Sequence, residues 1–85
     1  MTREEIESKI LTVFEEEFEI MNPGLDDDLR EKHDFDSIDA LDLLSEIEKM
    51  LDSELTRAEK KASMDIRTIN QICDYIELLA EARGT

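Results

Sequence analysis

The stretch HDFDSIDALDLL, residues 33–44, contains the side chains best suited to chemistry, with Ser37 at its centre. A serine becomes a nucleophile when a histidine base and an oxyanion hole stand beside it. His33 is the one histidine of the chain, and nothing near Ser37 supplies an oxyanion hole beyond the start of a helix. The sequence therefore favours a loop histidine without a catalytic role.

The carboxylates around Ser37 suggest a second chemistry, the binding of calcium. A calcium loop that began at Asp34 would need a glycine at its sixth position and a glutamate at its twelfth. Those positions hold Asp39 and Ser45. The spacing therefore predicts no specific metal site, although acidic residues attract divalent ions loosely.

Cys73 is the one cysteine, so no disulfide can form within the chain. It falls on the apolar stripe of the last predicted helix, and free cysteines are among the most buried residues. We expect a buried structural thiol. The N-terminal residues show no apolar targeting segment, and together with the single cysteine this predicts a cytoplasmic protein.

Length and charge limit the possible functions further. The 85 residues predict one small domain over residues 1–85, with a thin core and little room for a deep catalytic cleft. The net charge of −14 repels nucleic acid and anionic lipid, and no apolar run is long enough for membrane insertion. It favours partners with basic patches.

The apolar residues recur at three- and four-residue steps, which predicts helices. A capping-box pattern at Thr2 predicts the start of a first helix, which should end before Asn22. Residues 25–36 read as a long acidic loop. No segment alternates like a strand, so the sequence predicts an all-α bundle of three main helices.

A second main helix is predicted over residues 37–52. Its core stripe comprises Ala40, Leu43, Leu44, Ile47, Met50 and Leu51. Ile38 and Leu41 fall outside that stripe, so we expect two exposed apolar side chains beside Ser37. Residues 53–67 allow a short helix, and a second capping box at Thr68 begins the last helix.

Ser37 lies at the start of the second main helix. Asp36 is a candidate cap and Asp39 favours the helix dipole, so the Ser37 hydroxyl is not needed for capping. A helix start favours a phosphodiester anion. With a loop on one side and exposed apolar residues on the other, Ser37 has the features of an attachment point with a docking surface around it.

The motif Asp36-Ser37-Ile38-Asp39 resembles the Asp-Ser-Leu-Asp motif of acyl carrier proteins. The resemblance continues through SIDALDLLSEIEKMLDSEL and TINQICDYI and covers nearly the whole chain. It implies a four-helix bundle with a short third helix and a long loop between helices one and two. It also implies a non-enzymatic carrier of acyl thioesters on a 4′-phosphopantetheine arm, which a phosphopantetheinyl transferase attaches to Ser37.

The resemblance assigns further roles by position. The acyl cavity would lie between helices, with candidate liners Leu43, Leu44, Ile47, Ile69 and Ile72. The second main helix would dock acyl-transferring or synthase enzymes that carry basic patches, through Ile38, Leu41, Asp42, Ser45, Glu48 and Lys49. The protein would be a monomer.

Departures from the family pattern suggest a specialised lipid or fatty-acid-related pathway. They are His33-Asp34-Phe35 before the motif, and Ser45 and Lys49 on the docking helix. Two alternatives stay open. One is a carrier for an aminoacyl or other non-fatty acyl unit, loaded by an adenylating ligase. The other is a helical interaction module without a prosthetic group.

Overall fold

The computed structural model describes residues 1–84, and this part of the chain contains helices and no strands. This confirms the predicted all-α class. None of the helices within residues 1–84 has the length and apolarity needed to span a bilayer. In chain order the elements are α1 Arg3–Phe18, α2 Leu29–His33, α3 Ser37–Leu51, α4 Arg57–Ala62, a 3₁₀ turn Ser63–Asp65 and α5 Ile69–Ala82.

The core lies between the three long helices α1, α3 and α5. The predicted apolar stripes are confirmed: Leu43, Leu44, Ile47 and Leu51 of α3 are buried, and Ala40 and Met50 pack beside them. In α5 the buried stripe includes Cys73. No polar or charged residue within positions 1–84 is classed as buried. The core of this small domain is therefore made from apolar side chains.

Side-chain caps begin the helices, as the sequence predicts. The Thr2 hydroxyl accepts a hydrogen bond from the N–H of Glu5, and the Thr68 hydroxyl accepts one from Gln71. Helix α1 ends at Phe18, before Asn22 as predicted, because Glu19 adopts a left-handed conformation with φ 56° and its N–H bonds to the carbonyl of Phe14. A left-handed residue is a common helix terminator.

The acidic loop contains α2, a short helix that the sequence analysis did not predict. Asp28 caps it, and Leu29 is buried. Five residues are too few to show apolar periodicity. Tertiary hydrogen bonds hold the segment against the start of α5: the Leu29 N–H donates to the Arg67 carbonyl at 2.8 Å, and the Asn70 N–H to the Leu25 carbonyl at 3.0 Å.

Helix α4, the predicted short third helix, contains no buried residue. It is held instead by polar contacts with α5. The Arg83 guanidinium donates to both carboxylate oxygens of Glu59, at 2.7 and 2.8 Å. The Tyr75 hydroxyl donates to the Glu59 carbonyl at 2.6 Å. Glu59 also closes the capping box with Thr56, so one residue both starts α4 and anchors it.

We expect Glu59→Gln to lower the melting temperature at neutral pH. The hydrogen bonds from Arg83, then that from the Thr56 N–H, lower the pKa of Glu59 from 4.5 to about 2. A depressed pKa stabilises the fold above the unfolded value and loses that contribution as pH falls towards the folded value. The gap between parent and variant should therefore narrow between pH 4.5 and about 2.

Thermal melting at a series of pH values measures this gap. Glu54→Gln is the matched control, because Glu54 is exposed and its carboxylate has no hydrogen-bond partner within residues 1–84. The control should melt close to the parent at every pH. A gap for Glu59→Gln that is unchanged across the acid range would show that the ion pair with Arg83 does not stabilise the fold.

Candidate functional site

Ser37 is the first residue of α3, and its side chain is exposed. Its neighbours satisfy the helix start without it. The Asp36 carboxylate accepts a hydrogen bond from the Asp39 N–H at 2.9 Å, and the Asp39 carboxylate accepts one from the Asp36 N–H at 3.2 Å. The Ser37 hydroxyl has no hydrogen-bond partner within residues 1–84. It is therefore free to be modified.

The position also suits an anion. The first N–H groups of a helix point outward, and the aligned peptide dipoles give this end a partial positive charge. A phosphate ester on Ser37 would lie at the start of the fifteen-residue helix α3. The Asp36 and Asp39 carboxylates flank this position, and each accepts a backbone hydrogen bond at the start of α3.

A cavity of about 540 Å³ opens beside Ser37, between α3, α4 and α5. Four of the predicted acyl-cavity residues line it: Leu43, Leu44, Ile47 and Ile72. The fifth, Ile69, is fully buried in the core and is not among the lining residues. Further apolar or aromatic lining comes from Phe35, Ala40, Leu41, Met64, Ile66 and Tyr75.

The residues proposed for docking lie along α3. Ile38 and Leu41 are 70% and 65% exposed, as the apolar pattern predicts. Asp42, Ser45 and Lys49 are exposed as well. Their surface combines apolar and charged groups.

Two of the docking candidates have structural contacts that the sequence did not indicate. Glu48 is half-buried, and its carboxylate accepts a hydrogen bond from the Leu55 N–H at 2.8 Å, which fixes the turn after α3. The Lys49 ammonium pairs with Glu46 at 3.2 Å. Glu46 lies one helical turn before Lys49 on the same face of α3, which allows this pair to form.

The other residues that could carry chemistry, His33 and Cys73, are held by contacts or burial in the fold, and so is Phe35. His33 lies in α2, with Nε2 3.4 Å from an Asp27 carboxylate oxygen. Cys73 is fully buried, and burial raises the pKa of its thiol, which disfavours the reactive thiolate. Phe35 is buried against Phe14 and Phe18, with ring centroids 5.2 Å apart. No group of three or more potential metal ligands occurs within residues 1–84.

Sequence reasoning missed two features of the cavity wall. One is Tyr75, whose hydroxyl is bonded to the Glu59 carbonyl and whose pKa burial raises to about 12. The other is a group of basic residues, Arg30, Arg57, Lys60 and Lys61. The spacing of the last three, at i, i+3 and i+4, would have placed them on one face of a helix had α4 been predicted with its bounds.

Comparison with known protein families gives one result. The family model described as a phosphopantetheine attachment site matches residues 8–76, which include Ser37 and most of the chain. No curated protein and no solved structure matches significantly.

The geometry fits the prosthetic group of that family. Such a domain is the attachment site for 4′-phosphopantetheine, and the exposed, unpartnered hydroxyl of Ser37 lies where a phosphate ester is favoured. The chain belongs to the phosphopantetheine attachment-site family, as its resemblance to acyl carrier proteins indicates.

Proposed function

We propose that the protein is a freestanding acyl carrier protein whose arm is attached at Ser37. The observation that carries this proposal is the free Ser37 hydroxyl at the start of α3, beside an apolar cavity. The thiol at the end of a 4′-phosphopantetheine arm holds acyl groups as thioesters. The chain itself supplies an attachment point, a cavity and a docking surface, and is not an enzyme.

Attachment is a phosphoryl-group transfer from coenzyme A. The Ser37 oxygen forms a bond to the phosphorus that bears the pantetheine, and the P–O bond of the pyrophosphate breaks. Adenosine 3′,5′-bisphosphate leaves, and the serine proton passes to a base of the phosphopantetheinyl transferase. The carrier contributes an exposed hydroxyl and the positive end of α3, and no side chain within residues 1–84 is hydrogen-bonded to the Ser37 hydroxyl.

The cavity supports an acyl cargo. Its volume of about 540 Å³ lies within the roughly 300–1,000 Å³ of typical small-molecule sites. Leu43, Leu44, Ile47 and Ile72 offer apolar surface to a chain that enters beside Ser37. Burying each CH₂ group of such a chain is worth about 0.8 kcal/mol. A specialised lipid or fatty-acid-related pathway in the cytoplasm is the setting that we propose.

Partners would approach along α3. Ile38, Leu41 and Asp42 are exposed beside the attachment point, and Ser45 and Lys49 continue the surface. A phosphopantetheinyl transferase and the synthase or acyl-transferring enzymes would meet it with basic patches, since the chain carries a net charge of −14. The carrier would act as a monomer, so that this surface stays open.

We expect Ser37→Ala to abolish modification. Incubation with coenzyme A and a promiscuous phosphopantetheinyl transferase should add one phosphopantetheine to the parent and none to the variant, as measured by intact mass. Ser63→Ala is the matched control, because Ser63 lines the same cavity and lies outside the motif. It should be modified like the parent. Addition to the Ser37→Ala protein would assign the arm to another residue.

Substitutions at Asp36 and Ser37 should differ in their effect on the free energy of unfolding. Asp36→Ala removes the cap of α3 and should lower the free energy of unfolding by about 0.5–2 kcal/mol. Ser37→Ala should cost much less, because the hydroxyl has no partner within residues 1–84. Urea unfolding of the unmodified proteins measures both. A larger loss for Ser37→Ala than for Asp36→Ala would contradict the free hydroxyl.

We expect Asp42→Lys to slow modification by the transferase several-fold at low salt. Asp42 is exposed and forms no ion pair within the described chain, so its charge is available to a basic patch. The deficit should shrink towards 0.15 M salt, where the Debye length is about 8 Å. Glu16→Lys on α1 makes the same change in net charge away from α3 and should be near the parent. Equal rates for the two variants would place docking elsewhere.

A further inference from the structure

The charge around the cavity is opposite to that of the chain. The protein has 24 acidic residues against ten basic ones, yet no acidic residue within positions 1–84 lines the cavity. Four of the ten basic residues do, and we call them the cavity cations: Arg30 of α2, and Arg57, Lys60 and Lys61 of α4. A cavity for a purely apolar ligand gains nothing from such a set.

The cavity cations are also without partners in a chain rich in carboxylates. Within residues 1–84 none of the four forms an ion pair. Of the six other basic residues, Arg3, Lys32, Lys49 and Arg83 each pair with an acidic side chain, whereas Lys9 and Arg67 form no ion pair within residues 1–84. The four charges are therefore available to a ligand.

The three cavity cations of α4 lie on one face of that helix. Arg57, Lys60 and Lys61 follow an i, i+3, i+4 pattern, which places them on one helical face, and Met64 continues it. In a surface helix a stripe with this spacing is normally apolar, whereas these three basic side chains are exposed where they line the cavity. Long basic side chains can line an apolar wall with their stems and keep their charges at the solvent edge.

We propose that the cargo of this carrier is an acyl chain with a second, anionic group, of the class of dicarboxylic half-thioesters. This deepens the proposed function and rests on it. The apolar stem occupies the cavity beside Leu44 and Ile47, and the distal carboxylate stays at the solvent edge, where Lys60 and Lys61 meet it. The charge of the cargo thus avoids full burial, which would be costly.

The phosphate of the arm is the competing anion for the same cations. The phosphate is the same for every cargo, so a difference between two cargoes cannot come from it and must come from the acyl chain. A matched pair of cargoes makes the comparison. Suberyl carries a free carboxylate, and its monomethyl ester has the same length without the charge.

The experiment loads each cargo from its coenzyme A thioester onto three proteins and measures the half-life of the thioester in hydroxylamine. The proteins are the parent, Lys60→Met/Lys61→Met, and the control Lys9→Met/Lys32→Met. Methionine keeps an apolar stem and removes the charge. The control makes the same change in net charge at two exposed lysines that do not line the cavity. Melting temperatures of the loaded proteins give a second readout.

In the parent, suberyl should outlast the methyl ester by about two- to fivefold, which is the range of surface ion pairs. Lys60→Met/Lys61→Met should abolish this difference, and the control should keep it. Added salt should reduce it in the parent as well. Equal half-lives in the parent would overturn the proposal, and so would an equal loss for both cargoes in the variant, which would assign the cations to the phosphate. Failure of all three proteins to load would instead refute the carrier function itself.

Discussion

The separation of charge from the core is the constraint on which this structure depends. A chain of 85 residues with a net charge of −14 places most of its apolar side chains in one core. The long helices α1, α3 and α5 face each other with apolar stripes, and no charged residue within positions 1–84 is classed as buried. Charges in a small core would cost several kcal/mol each without compensation. With the charges kept at the surface, the excess acidic side chains repel one another there, which destabilises the fold.

The start of α3 combines a helix cap with the proposed attachment residue, Ser37. Two aspartates form a reciprocal cap at the start of α3, so the residue between them is not needed for the helix. A motif that looks like a functional signature is thus also a folding device. Asp36 and Asp39 hold the backbone, and Ser37 is presented on it with a free hydroxyl. Modification at the proposed position would disturb few contacts, because the Ser37 hydroxyl has no hydrogen-bond partner within residues 1–84.

Helix α4 is stabilised differently from the rest. It has no buried residue and is held by the contacts of Glu59 with Arg83 and Tyr75. Because α4 does not fill the space beside α3, a cavity is left there, and its wall is polar on the α4 side and apolar on the α3 side. The cavity therefore exists because α4 packs weakly against the rest of the fold. Such a wall suits a ligand with both an apolar and a charged part.

The sequence by itself determined the features that depend on neighbours along the chain. Apolar periodicity predicted the three long helices, and side-chain caps predicted the starts at Thr2, Asp36 and Thr68. The motif also indicates Ser37 as the modified residue, and this stays a prediction. These features depend on residues that are close together in the sequence, so the sequence alone is enough to predict them. Cys73 was likewise predicted to be buried from its place on a helical stripe.

Only the tertiary structure decided the rest. Helix α2 forms because Leu29 is buried and its backbone bonds to Arg67, far along the chain. Ile69 and Ile72 are both fully buried in the core, yet only Ile72 also lines the cavity. The cavity cations come from α2 and α4, and their grouping exists only when both helices pack beside α3. Contacts between distant residues depend on how helices are placed in space, and local patterns contain no information about that placement.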